Sequence, residues 1–201
     1  DHSIMAEESG KELTLSDYLW IIDPLDGTTN FVHGYPSYGI SIGLYHKREP
    51  LLGIVMEMPN IKLYTAVKGG GAFCEGKKIT PSKTKTLNES LLVTGFGYEH
   101  HENWDRNMKL FKHFTDNTQG VRRLGAAAID ICHVASGLVD GYWEYDLKQW
   151  DMAAGLIIAS EAGCRITDIR GKKHQLEFDN VVVTNKLIHD ELISESSSYL
   201  N

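Results

Sequence analysis

The sequence lacks any long apolar run. Its longest, residues 153–159, is interrupted by Gly155 and falls far short of the ~20 residues that a membrane-crossing helix needs. An excess of positive charge is also missing. Against 20 Lys and Arg stand 27 Asp and Glu, for a formal net charge of −7. No broad basic face is therefore available for nonspecific nucleic-acid binding. Cysteine is scarce: Cys74, Cys132 and Cys164 are widely spaced and form no CxxC pair. That pattern supports neither a disulfide framework nor a zinc knuckle, and reduced thiols in a cytoplasmic protein are the expectation. Gly69-Gly70-Gly71 is not followed by a Gly-Lys-Ser/Thr sequence, so it is read as a turn between strands and not as a phosphate loop. Internal repeats and low-complexity linkers are absent. The chain opens at Asp1 without a Met, so any targeting segment would precede it.

What is present is an ordinary globular composition, 42% hydrophobic and 23% charged. The length allows one large domain or two lobes. Apolar runs bounded by turn residues predict strands over residues 18–23, 38–45, 51–58, 62–68, 72–75, 91–94, 139–145 and 181–184, with a hairpin through residues 46–50. Helical spacing covers residues 101–114, 126–135, 151–162 and 186–194, with Gly137 and Gly163 closing two of these helices. Consecutive strands give way to alternating strand and helix, which predicts an α/β (α+β) protein with at least two sheets. A strand-rich lobe is expected over residues 1–88 and an α/β lobe over residues 89–201.

The most informative segment is Trp20-Ile-Ile-Asp23-Pro-Leu-Asp26-Gly-Thr-Thr-Asn30. An apolar strand delivers Asp23 to its end, and Pro24 turns the chain. Asp26 then comes near enough for both carboxylates and the Leu25 carbonyl to aim at one point. Such oxygen donors suit a hard divalent cation such as magnesium. Gly27 permits close backbone approach, and the N–H groups of Gly27, Thr28 and Thr29 are suited to a phosphate. Taken singly, Asp-x-x-Asp-Gly reads as a turn, Glu7-Glu8 as solvated surface, and Asp151 as the N-cap of an Ala-rich helix. His100-His101 beside Glu99 and Glu102 reads as loop surface, because no further His or Cys falls at ligand spacing.

Together these segments resemble the inositol monophosphatase family. Glu7-Glu8, Trp20 to Phe31 and Trp150-Asp151-Met-Ala-Ala-Gly155 are similar to its three metal motifs, in its order and spacing. Arg122-Arg-Leu-Gly125-Ala-Ala-Ala128 resembles its substrate-side loop. The resemblance implies a layered α-β-α-β-α sandwich of the sugar phosphatase type. Glu7, Asp23, Leu25, Asp26 and Asp151 would hold two or three Mg2+ ions. Glu7 and Thr28 would prepare the attacking water. Asp26, Gly27, Thr28, Gly125, Ala126, Ala127, Glu144 and Asp151 would meet the substrate, a small phosphorylated polyol or sugar. Four carboxylates and a phosphate dianion bring roughly −6, which two or three such ions offset. Attack by water needs no protein nucleophile. An aspartyl-phosphate route fits less well, since Asp26 falls one position too late for that pattern. Lithium sensitivity, a homodimer and a cytoplasmic location are further implications. Neither a membrane nor a nucleic-acid partner is expected. The Thr-Thr-Asn-Phe that follows Gly27 favours inositol over fructose 1,6-bisphosphate, histidinol phosphate or a 3′-phosphonucleotide; a protein-binding, transcription-associated role is the non-enzymatic alternative. The family's helical pair ahead of the Glu-Glu motif does not appear in this sequence, so a large apolar sheet face is expected to lie open.

Overall fold

In the computed structural model the described residues are 2–8, 10–12 and 14–200. Two sheets form. The first contains β1 (Ser3–Ala6), β2 (Gly10–Glu12), β3 (Tyr18–Asp26), β4 (Tyr38–His46), β5 (Glu49–Met58), β6 (Lys62–Val67), β7 (Gly71–Cys74) and β8 (Lys77–Lys78), in the order β2-β1-β3-β4-β5-β6-β7-β8. The second contains β9 (Leu91–Thr94), β10 (Gly120–Arg122), β11 (Gly141–Glu144), β12 (Arg165–Thr167) and β13 (Val181–Thr184), in the order β10-β9-β11-β13-β12. Five helices accompany them among the described residues: α1 (Thr28–Val32), α2 (Glu102–Asn117), α3 (Ala127–Ala135), α4 (Gln149–Ala162) and α5 (His189–Leu200).

The layers follow from which faces are apolar. α4 is buried on nearly every side, from Met152 through Ala159, as a helix between two sheets must be. It packs on β3 to β7 of the first sheet and on β12 of the second, with α3 beside it touching both sheets. Glycine lets α4 approach: a methyl group at Gly53 would stand 2.6 Å from the Ala154 carbonyl oxygen. Beyond the second sheet, Leu110 and Phe114 of α2 and Leu192 of α5 close a separate core on Leu92, Trp143 and Val182. The order is therefore sheet, helices, sheet, helices.

The other face of the first sheet has no described helix against it. Alternate residues there are apolar, and Ile4, Tyr18, Ile40 and Val67 are exposed.

The β4–β5 hairpin turns through Lys47 and Arg48, both at positive φ, which is the backbone that a two-residue hairpin requires. Sequence patterning misses β1, β2, β8 and β12, each too short to show a period. Helix boundaries also move, and α2 runs on to Asn117. α4 begins at Gln149, so Asp151 lies in its first turn and Lys148 takes the N-cap position expected for Asp151. The last helix runs from His189 to Leu200, starting later and ending later than its apolar spacing indicates.

Candidate active site

β3 brings two carboxylates to one face by a local irregularity. In a regular strand, residues three apart point to opposite faces. Asp23 pairs with Ser41 and Asp26 with Gly39, so three residues of β3 oppose two of β4. The extra residue is a bulge, formed at exposed Pro24 and half-buried Leu25, and it turns Asp26 to the same inner face as Asp23. Both are buried, at 2% and 6% exposure. Asp23 accepts the Leu25 N–H at 2.9 Å, and the Thr28 hydroxyl donates to the Leu25 carbonyl at 3.0 Å. Gly27 follows at φ 82, where a methyl group would meet the Ser37 carbonyl and the Gly125–Ala126 backbone region.

Three further segments join this turn. β1 runs parallel to β3 with Ala6 opposite Ile22, which places Glu7 beside Asp23. The Ser41 hydroxyl, across the ladder from Asp23, donates to the Trp150 carbonyl and fixes the first turn of α4. Asp151 there accepts the Lys148 N–H at 2.6 Å. The third segment is the start of α3: Ala127 and Ala128 donate their N–H groups to the two oxygens of Asp26 at 3.0 and 2.9 Å. Asn30 ties the arrangement together, donating to the Ser37 and Leu124 carbonyls at 2.6 and 2.7 Å.

These groups surround a cavity of about 450 Å3. Glu7, Asp23, Leu25, Asp26, Gly27, Thr28, Gly125, Ala126, Ala127, Glu144 and Asp151 all line it, whereas Thr29 and Glu8 do not. Among the described residues, no three acidic, histidine or cysteine side chains stand ready around one ion position. The carboxylates thus converge around a cavity and do not form a closed cage.

The electrostatics reflect crowding of like charge away from water. Burial, opposed by the Leu25 N–H and reinforced by Glu7 and Asp151, pushes Asp23 up to about 7. Burial and the neighbouring Asp23 and Asp151 hold Asp26 well above the usual carboxylate range, against two helix N–H groups. Asp151 is pushed up to about 6, again chiefly by burial.

Glu144, also in the lining, ends β11. Burial raises it to about 7, while the Tyr142 hydroxyl, donating at 2.6 Å, pulls the other way. Its carboxylate lies flat against Gly95, where any added methyl group would overlap both of its oxygens. The Gly95 carbonyl accepts from Asn107, which in turn accepts the Trp143 indole N–H at 2.6 Å.

Sequence reasoning missed this support for Glu144, since Gly95, Asn107 and Tyr142 carry no motif. It also missed the loop that follows β9. Phe96, Tyr98 and His101 line the cavity, and the Tyr98 hydroxyl stands 3.1 Å from that of Thr29. His101, read as plain loop surface, caps α2 and faces Asp146 at 3.6 Å; His100 does not line the cavity and lies tilted against Trp104.

Comparison with known proteins agrees with this geometry. Residues 1–201 match the sequence profile described as the inositol monophosphatase family. The chain is 50% identical over 200 residues to "Phosphatase IMPL1, chloroplastic" of Arabidopsis thaliana, covering 96% of this chain and 54% of that protein. It therefore spans little more than half of that relative. It is 44% identical over 193 residues to an inositol-1-monophosphatase of Synechocystis, covering 96% of this chain and 67% of that one. Among solved structures, inositol monophosphatase from Anabaena (Nostoc) superposes with a TM-score of 0.91 at 42% identity, over 98% of this chain and 79% of its own. The mixed two-sheet architecture and the full-length match to the profile lead to one conclusion: the chain belongs to the inositol monophosphatase family.

Proposed function

We propose that the chain hydrolyses a phosphate monoester of inositol or a related small polyol, with divalent cations, magnesium among them, held in the carboxylate cavity. The observation that carries this reading is the convergence of Glu7, Asp23, Asp26 and Asp151, from three separate segments, on a cavity also lined by Glu144 and the Gly125–Ala127 loop.

The donor set fits such ions. It consists of carboxylate oxygens and the Leu25 carbonyl, with no sulfur or imidazole among the converging groups, which selects hard cations. A bound divalent cation would offset the clustered negative charge, make nearby water a stronger acid and shield charge on the leaving oxygen. Glu7, Asp23, Asp26, Asp151 and the Leu25 carbonyl would hold it.

The remaining steps belong to the chain itself. The N–H groups of Gly27 and Thr28 orient the phosphate oxygens. The Thr28 hydroxyl positions the attacking water, and a Glu7 carboxylate oxygen accepts its proton. Glu144, with its orientation set by Tyr142, receives polyol hydroxyls alongside Gly125, Ala126 and Ala127. Asp26, clamped by the start of α3, keeps the cation side and the substrate side in register. Lithium is expected to inhibit by competing for a cation position.

The test is release of inorganic phosphate from a panel of polyol, sugar and nucleotide phosphates, with magnesium or with a chelator. Magnesium-dependent release favouring inositol monophosphates is expected. Release that survives chelation overturns the cation assignment, and release strongest on nucleotides overturns the polyol assignment.

A further inference from the structure

A second cavity, of about 750 Å3, stands on the other side of the segment that leaves β11. Side chains alternate across that segment. Glu144 and Asp146 line the first cavity and Tyr145 lines the second, while Asp179 borders both. The second cavity is enclosed by α2, by the turn after β12, by the approach to β13 and by α5.

Its chemistry differs from that of the first. Arg106, Arg170 and Lys172 reach it. Among the described residues, neither Arg170 nor Lys172 has an ion-pair partner for its side chain, although the chain as a whole carries net charge −7. Asp168, a buried carboxylate in the lining, is turned to the main chain: one of its oxygens accepts the N–H groups of Arg170 and Lys172 at 3.0 and 2.7 Å. Asp179 accepts from Asn180 at 2.9 Å, and Arg106 is paired with Glu102 at 2.6 Å.

Tyr145 is the second, independent sign of a ligand. It is only 5% exposed, yet its hydroxyl has no hydrogen-bond partner among the described residues. It is not sealed off either, since it does not number among the fully enclosed unpaired polar atoms; what surface it has opens on the cavity. Burial pushes this phenol up to about 12, and the Arg106 and Arg170 guanidinium groups pull against that, which puts both within electrostatic reach of its oxygen. Phe178 adds an apolar wall, half-buried against His174.

We infer that this second cavity binds a small phosphorylated molecule. Arg170, Lys172 and Arg106 hold the phosphate, Tyr145 donates a hydrogen bond to it, and Phe178 receives the ring or sugar. The site goes beyond the proposed hydrolysis and does not depend on it. Anion binding in the carboxylate cavity requires cations to reverse its charge. The second cavity supplies its own cations, so its ligand binds without metal.

That difference makes the test clean. The full chain is kept in excess chelator and titrated calorimetrically with inorganic phosphate, then with phenyl phosphate. The expected result is saturable one-site binding of both probes, tighter for phenyl phosphate because of Phe178. Arg170→Ala with Lys172→Ala weakens binding about tenfold, as loss of charge-assisted contacts should. Tyr145→Phe, which keeps the ring, weakens it less, and Asp23→Asn leaves it unchanged. Arg170 and Lys172 are exposed, so the double variant is expected to keep its fold, which thermal unfolding checks. Absence of saturable binding in chelator, binding that survives the double variant, or binding abolished by Asp23→Asn overturns the proposal. None of these readouts involves turnover, so they stand whether or not the chain proves to be a phosphatase.

Discussion

Asp130 of α3 is 1% exposed, and neither of its carboxylate oxygens has a hydrogen-bond partner among the described residues. Burial first, then Glu144 and Asp26, raise its proton affinity well above the carboxylate norm. A carboxyl raised in the folded state lends stability fully below its unfolded pKa, about 4, and loses it as pH rises. Asp130→Asn is therefore expected to unfold near the wild-type temperature at pH 4 and above it at pH 8; a variant less stable at pH 8 would show that Asp130 is paired after all. Glu144 has the opposite character, being held in place. Gly95→Ala forces its carboxylate off the wall, so KM for the polyol phosphate is expected to rise about tenfold with a smaller change in kcat. Tyr142→Phe removes one hydrogen bond to the same group, a net effect of ~1 kcal/mol, and a change confined to kcat would contradict the positioning role. At this scale the sequence shows the acids and hides their supports. Glu7, Asp23, Asp26 and Asp151 sit in recognisable strings, whereas Gly95, Asn107, Tyr142 and Asp130 act through contacts between distant segments.

The elements explain how the acids come to share a cavity. Reading β3 as a regular strand ending at Asp23 makes the turn do all the aiming. In the structure the strand continues to Asp26 through a bulge, and Pro24 inside a strand pattern was the local signal for one. The clamp of the α3 N–H groups on Asp26 crosses about half of the chain and leaves no trace in local pattern. Longer strands and helices were legible because each buries a face: β9 and β13 fall where their apolar runs place them. The short β1, which carries Glu7 into place, was not. The seating of α4 is likewise set by long-range contact. Gly53→Ala pushes a methyl group into the Ala154 carbonyl and is expected to cost ~1–3 kcal/mol, read as a lower urea midpoint with unchanged slope. No shift in midpoint would mean that α4 is seated more loosely.

The described residues stack as sheet, helices, sheet and helices, and none of them packs a helix on the outer face of the first sheet. Exposed Ile4, Tyr18, Ile40 and Val67 lie on it, with Trp20, Ile42, Leu44 and Ile54 only half-buried between them. Contiguous apolar surface of this kind binds other apolar surface. The chain of residues 1–201 is expected to bind a hydrophobic dye while folded and to self-associate as concentration rises, both reduced by Ile40→Lys with Val67→Lys. A folded monomer indifferent to the dye would contradict this description of the face. The central claim, however, concerns the carboxylate cavity, and its most direct test needs no substrate. Magnesium is titrated calorimetrically into the chelator-free protein and into Asp23→Asn at pH 7.5, in two buffers of different ionisation heat. Because Asp23 is raised to about 7 and Asp151 to about 6, cation binding must displace protons, and affinity must fall as pH drops through those values. The account predicts saturable binding with proton release by the wild type, and binding weakened at least about tenfold in the variant. Equal binding by both proteins, or no saturable binding by the wild type, would contradict it.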